Sequence, residues 1–190
     1  MKQLVLASAS PRRRALLRQI GWDCIVRPSN FRELTVASEP EAFVLYNALG
    51  KAREVATQFR SGIVLGADTI VVHAGELLGK PKGKEEAASM LRMLSGDWHD
   101  VFTAVALVDS SSGREISDIV RTRVHMRQIT EAELASYLET EEPYDKAGAY
   151  GIQGMAALFV DRIDGCYFNV VGLPLSRLAE LRQQCEAVWS

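Results

Sequence analysis

The sequence predicts an α/β protein with a mixed, twisted sheet flanked by helices. Three observations carry that expectation. Short apolar strand-like runs alternate with amphipathic helical segments, which favours a sheet covered by helices. One run, Ile63 to Val72, is apolar almost throughout, as a central strand buried on both faces requires. Hairpin-like turns at His73–Glu76, Ser110–Gly113 and Asp164-Gly165 interrupt the alternation and add antiparallel pairs.

Taken in order, Gln3 to Ala7 reads as a short buried strand. Ser10 is a suitable N-cap for the helix that follows, Pro11 suits its first position and Gly21 its far end. Leu16, Leu17 and Ile20 line one face of it. Ser38-Glu39-Pro40-Glu41 has the form of a capping box, and Leu45, Leu49, Ala52 and Ala56 follow at helical spacing. Gly50 within that helix costs about 1 kcal/mol relative to alanine, and the sequence offers no reason for it. Ile63–Val72 and Leu77-Leu78 form a hairpin. Lys84 to Leu94 is a helix with Ala87, Met90, Leu91 and Leu94 inward and Gly96 as its stop.

Val101 to Val108 and Ile116 to Ile129 read as strands, and Thr130-x-x-Glu133 caps a further helix carrying Leu134, Tyr137 and Leu138. Ala156 to Ile163 and Tyr167 to Val171 read as strands on either side of a turn. Pro174 opens a terminal helix with Leu175, Leu178 and Leu181 on one side.

The 190 residues suit one domain, residues 1–190, or one compact two-lobed unit. Composition is ordinary globular, and a net charge of −2 provides no global positive field for nucleic acid. Cys24, Cys166 and Cys185 form no CxxC pair and are odd in number, so they read as small buried hydrophobes in a reducing compartment. The apolar stretch near the N-terminus is too short for a secretion signal, and no stretch approaches the roughly 20 apolar residues of a membrane span. The expectation is a cytoplasmic protein without nucleic-acid or membrane partners.

Four segments carry chemistry. Ser8-Ala9-Ser10-Pro11-Arg12-Arg13 joins a strand to a helix, where unpaired N–H groups and the helix dipole make an anion site. Two arginines there oppose the dipole unless an anion accepts their donors; solvated arginines at a surface helix start are the competing reading. Gly66-Ala67-Asp68-Thr69 places a carboxylate inside an apolar strand, which is costly unless it is paired or metal-bound. Such an aspartate can hold a cation or accept a proton; a structural aspartate accepting hydrogen bonds from a neighbouring turn is the alternative. Lys80, between Gly79 and Pro81, sits in a stiff loop and can serve as a phosphate point charge; a solvated loop lysine is the commoner, competing reading.

Asp145 to Gly154 holds three glycines that let backbone approach a ligand closely. Gln153 within it offers both a donor and an acceptor to a base edge; an ordinary turn-rich connection is the alternative. Arg121, Arg123, His125 and Arg127 alternate along one strand face and read as a solvated outer face, while His73 and His99 have no partner at metal spacing. No P-loop, GxSxG or HExxH motif is present.

Together these segments closely resemble the Maf-like nucleotide pyrophosphatases. The matching stretches are Ser8–Leu17, Gly66–Val72, Gly79–Pro81, Leu94–Leu107, Asp145–Gly154 and Asn169–Leu175, in the family's order along nearly the whole chain. The resemblance implies an elongated two-lobed fold with a central cleft, and hydrolysis of a nucleoside triphosphate between its α- and β-phosphates with Mg²⁺ or Mn²⁺.

It implies Asp68 as the catalytic carboxylate, Arg12, Thr69 and Gln153 as nucleotide-selecting residues, and Ser8, Arg13, Lys51 and Lys80 as substrate and phosphate contacts. Glu33 falls near the family's acidic metal-side position, together with Asp68, although Asn30 to Val36 departs from the usual pattern. Arg12-Arg13, Ala67-Asp68-Thr69 and Gly151-Ile152-Gln153 look like the dTTP/UTP branch, and a homodimer is compatible with the resemblance. The competing class is a non-enzymatic nucleotide-binding regulator of septation. A phosphatase using Asp68 as nucleophile lacks a second aspartate two residues away, since position 66 is glycine and position 70 is isoleucine.

Overall fold

A computed structural model describes residues 2–34 and 39–189. Its strands form one seven-stranded sheet in the order β2-β1-β3-β5-β6-β7, with β4 paired to β3. The strands are β1 (Leu4–Leu6), β2 (Cys24–Val26), β3 (Ile63–His73), β4 (Glu76–Leu78), β5 (Trp98–Asp109), β6 (Glu115–Met126) and β7 (Val160–Asp164). β1 pairs in parallel with β2 and β3, whereas β4 on β3 and β7 on β6 are antiparallel, so the sheet is mixed. The helices are α1 (Pro11–Gln19), α2 (Pro40–Ala56), α3 (Lys84–Leu94), α4 (Glu131–Leu138), α5 (Tyr167–Val171) and α6 (Leu175–Val188). Among the described residues no helix is long and apolar enough to cross a membrane.

The chain divides into two compact units. The first comprises residues 1–68, 103–120 and 172–190. Its core gathers Val5, Leu6, Leu16, Leu17, Val44, Ala48, Ala52, Val55, Leu65, Val105, Leu107 and Leu178, all nearly or fully buried. Ser10 caps α1 by accepting the Arg13 N–H at 3.4 Å, and Gly21, at φ +70°, closes the helix as expected. α2 begins after Glu39, whose side chain makes no capping bond; Ser38, the serine of the expected Ser38–Glu41 box, lies outside the described residues. The buried stripe of α2 is Val44, Ala48, Ala52 and Val55; of the expected Leu45, Leu49, Ala52 and Ala56 the two alanines are buried and the two leucines only half-buried, so the buried face is rotated. Both stripes satisfy helical periodicity, and the rotation turns Asn47 and Lys51 inward.

The second unit comprises residues 69–102 and 121–171. Its core packs Val71, Leu78, Leu91, Leu94, Val101, Val124, Met126, Tyr137, Ala149 and Phe159. The capping box of α4 is complete, with Thr130 accepting the Glu133 N–H and Glu133 reaching back to the Thr130 N–H. Residues expected to be strand depart from that expectation at the end of this unit. Met155–Leu158 is a 3₁₀ turn and β7 starts only at Val160.

Tyr167–Val171 is helical. Its aromatic and β-branched residues suit a strand, but tertiary pairing prevails. The buried Asn169 amide donates to the Val101 carbonyl and to Thr122 Oγ1, both at 3.0 Å. Arg127 to Ile129 likewise falls outside β6, and β2 was not foreseen. Of the three cysteines only Cys185 is fully buried, and all are free thiols.

The face carrying Arg121, Arg123, His125 and Arg127 is laced with partners. Arg121 forks onto Asp100 at 2.8 and 2.9 Å, Arg123 stacks over the Trp98 ring at 4.7 Å, His125 meets Asp161 at 2.5 Å and Arg127 meets Glu133 at 2.7 Å. Behind it, His99 is 3% exposed and its Nε2 lies 2.7 Å from the Tyr150 hydroxyl. Burial lowers the His99 pKa to about 4, against about 6.5 in an unfolded chain. The unfolded state therefore binds the extra proton between those values, and stability falls as pH drops from about 6.5 to about 4. The melting-temperature advantage of wild type over His99→Gln should shrink across that window; a difference independent of pH would contradict this.

Candidate functional site

The first unit builds a charged cluster from three elements. Immediately after β1, Ser8 Oγ accepts the Ser10 N–H at 3.2 Å and the Arg13 guanidinium at 3.1 Å, and Arg13 Nε donates to the Gly172 carbonyl at 2.8 Å. Arg13 is thus folded back beneath the turn that opens α1. Burial lowers the Arg13 pKa and Arg12 adds to that, while Asp68 and Glu33 pull it the other way. The two arginines and the two carboxylates therefore share one electrostatic neighbourhood.

Asp68 sits on β3, 7% exposed, with both carboxylate oxygens engaged by α2. Lys51 Nζ lies 2.6 Å from Oδ1, and Asn47 Nδ2 lies 3.1 Å from Oδ2. Asn47 and Lys51 are one helical turn apart, so both reach the same carboxylate from one face. Lys51 also meets Glu33 Oε1 at 3.1 Å, and Asn47 Oδ1 accepts the Leu34 N–H at 2.9 Å. One ammonium thereby stands between two carboxylates, and one buried amide ties the Glu33 segment to the same point. Asn47 escaped the sequence reading. Its signal was present, as a polar residue four positions before Lys51 on the buried side of a helix.

The remaining expected residues belong to the second unit. Thr69 follows Asp68 on β3 and is half-buried. Lys80 is exposed in the loop after β4, and the carbonyl of its neighbour Gly79 accepts the Gly148 N–H at 3.1 Å. That bond ties the Lys80 loop to the glycine-rich run, in which Gln153 is exposed.

Glu33 and Asp68 supply hard oxygen donors of the kind Mg²⁺ prefers, bracketing a position already suited to positive charge. Mg²⁺ is usually bound by one or two carboxylates with substrate phosphates and water completing the shell. The residues fit that mode. Among the described residues no three His, Cys, Asp or Glu side chains converge as an all-protein cage.

This combination, a helix-opening turn carrying Ser8 and Arg13 beside a carboxylate–ammonium cluster on an α/β sheet, has donors of the kind a charged, phosphate-bearing ligand uses. The Maf-like protein family model matches residues 3–185, across both units, and the chain belongs to that family. Relatives named dTTP/UTP pyrophosphatase include one from Methanosarcina barkeri, 47% identical over 97% of this chain and 94% of the relative. One from a Geobacillus species is 51% identical over 93% and 95% respectively, and one from Gloeobacter violaceus is 49% identical over 94% of each.

The approach of α2 to Asp68 depends on Gly66. A Cβ there would fall 2.1 Å from the Ala48 carbonyl oxygen and 2.9 Å from Ala52 Cβ. Gly50 has a matching reason: a Cβ would fall 2.2 Å from the Phe31 ring, which lies on the helix beside the Glu33 segment. Gly66→Ala should destabilise the protein by about 1–3 kcal/mol through overpacking. For a chain of this length that is roughly 2–4 °C in melting temperature per kcal/mol. An unchanged melting curve would show that the helix is not held this closely.

Proposed function

We propose that this protein is a cytoplasmic, metal-dependent nucleoside triphosphate pyrophosphatase that hydrolyses dTTP and UTP to the monophosphate and pyrophosphate. The observation that carries the reading is the carboxylate–ammonium–carboxylate arrangement of Asp68, Lys51 and Glu33 beside the Ser8–Arg13 turn. The names of the curated relatives supply the substrate class.

Phosphoryl chemistry asks for positioning and charge stabilisation more than for covalent help from the protein. In this reading Ser8, Arg12 and Arg13 at the opening of α1 meet phosphate oxygens with hydroxyl and guanidinium donors, favoured by the helix dipole. Lys80 offers a second point charge to the polyphosphate. Lys51 keeps Asp68 compensated while the substrate is absent, and its positive charge also attracts phosphate oxygens. Asp68 accepts the proton of the water that attacks the α-phosphate. Glu33 and Asp68 would hold Mg²⁺ or Mn²⁺, which when bound neutralises phosphate charge and makes a bound water more acidic. Thr69 and Arg12 contribute to nucleotide choice. Gln153 reads the base, because its amide complements the carbonyl–N–H–carbonyl edge shared by uracil and thymine.

Incubation with Mg²⁺ and UTP or dTTP should yield monophosphate and pyrophosphate in equal amounts, faster than from CTP or GTP. Release of orthophosphate and a diphosphate would contradict cleavage at the α–β bond. Nucleotide binding without turnover would favour a non-enzymatic regulator.

Calorimetric titration tests the phosphate contacts separately. Arg13→Ala and Lys80→Ala should each weaken UTP by roughly 10- to 150-fold, the equivalent of about 1.5–3 kcal/mol for a hydrogen bond to a charged group. UMP should lose much less. Equal losses for UTP and UMP would rule out a polyphosphate role.

A further inference from the structure

The glycine-rich run that carries Gln153 is shaped by its own neighbours. Gly151 and Gly154 bracket Ile152-Gln153. A Cβ at Gly151 would fall 2.7 Å from Lys146 Cε, and a Cβ at Gly154 would fall 2.1 Å from Glu142 Oε2. Both glycines therefore make room for side chains of the preceding turn, four residues apart. Lys146 Nζ is itself fixed, donating to the Glu142 carbonyl at 2.7 Å and to Asp145 at 2.5 Å.

The Glu142 carboxylate is the fixed point of this arrangement. Its Oε2 accepts the Met155 N–H at 2.8 Å, and its Oε1 accepts the Ala156 N–H at 3.3 Å and the Tyr137 hydroxyl at 3.0 Å. Tyr137 is 1% exposed in the core of the second unit, and its ring meets Phe159 edge-on at 5.3 Å. The backbone just after Gln153 is thereby anchored, through a charge, to the packed interior. Ile152 is buried and Gln153 exposed, so the residue before Gln153 is pinned as well.

We propose that Glu142 is a positioning residue for nucleobase selection: it clamps the backbone on the C-terminal side of Gln153 and so aims the Gln153 amide. The inference rests on the base-reading role proposed for Gln153. A small error in the direction of a short amide is enough to lose a hydrogen bond to a base edge, because alignment weakens steeply off axis. The hydrogen bonds of the clamp all run between residues of the second unit. Its loss should therefore act on base discrimination and not on pyrophosphate affinity.

The test measures kcat/KM for UTP, dTTP, CTP and GTP on wild type, Glu142→Gln, Glu142→Asp and Gln153→Ala. Pyrophosphate affinity by calorimetry and melting temperature are measured on each. Glu142→Gln keeps size but turns one acceptor into a donor facing N–H and O–H groups. Glu142→Asp keeps the charge on a shorter arm and guards against a folding defect in the first variant. Both should lower UTP and dTTP by about 10- to 100-fold with CTP, GTP and pyrophosphate affinity nearly unchanged. In a Gln153→Ala background, Glu142→Gln should add nothing further.

Equal losses on all four substrates, tracking melting temperature in both variants, would make Glu142 purely structural and overturn the proposal. If Gln153→Ala collapses discrimination while both Glu142 variants retain it, the clamp fails and base reading by Gln153 stands. If Gln153→Ala leaves the ranking of the four nucleotides unchanged, the base-reading role fails and the proposal with it.

Discussion

A carboxylate buried in an apolar strand obliges its surroundings to compensate it. Taking an unpaired charge out of water costs several kcal/mol, and removing one partner of a buried pair commonly costs about 3–5 kcal/mol. Asp68 is held on β3 under that constraint, and the first unit is organised around meeting it. α2 must come close enough for Lys51 and Asn47 to reach the two carboxylate oxygens. Gly66 permits the approach by lacking a Cβ on the strand. Gly50 permits the next layer, with the Phe31 ring seated on α2 where a side chain would otherwise stand. The segment that follows Phe31 then brings Glu33 to Lys51 and the Leu34 N–H to Asn47. Two glycines that look like helix- and strand-weakening choices are therefore spacing devices.

The second unit solves a different problem, that of holding an exposed loop in one conformation. Loops are normally mobile because few contacts fix them. Here the glycine-rich run is fastened at both sides of Gln153: the Gly79 carbonyl takes the Gly148 N–H, and Glu142 takes the N–H groups of Met155 and Ala156. The glycines read from sequence as freedom to approach a ligand are occupied by Lys146, Glu142 and Val71. The tight backbone expected of a glycine-rich run is present, and side chains from the preceding turn and from β3 pack against it.

What was legible depended on whether local chemistry or tertiary packing decided each element. The caps of α1 and α4, the β3–β4 hairpin and the buried face of α3 are local, and sequence alone located them. β2 is a short strand at the sheet edge with no fully buried residue, so no buried apolar run marks it. The buried side of α2 was ambiguous because two stripes share its period. Tyr167–Val171 has strand propensity and becomes helix because the buried Asn169 must reach Val101 and Thr122. At the site, Asp68 stood out by the cost of its setting. Lys51 entered only through resemblance and Asn47 not at all, since both look like ordinary helix residues until the helix is docked.

The proposed reaction depends on Asp68, and Asp68→Asn isolates its charge while preserving its shape. Pyrophosphate release from UTP with Mg²⁺ should fall by about 10²–10⁴-fold or more, the usual range for loss of a proton acceptor. Nucleotide affinity by calorimetry should be largely retained. A folded variant releasing pyrophosphate at near wild-type rate would show that the buried carboxylate serves the fold and not the reaction.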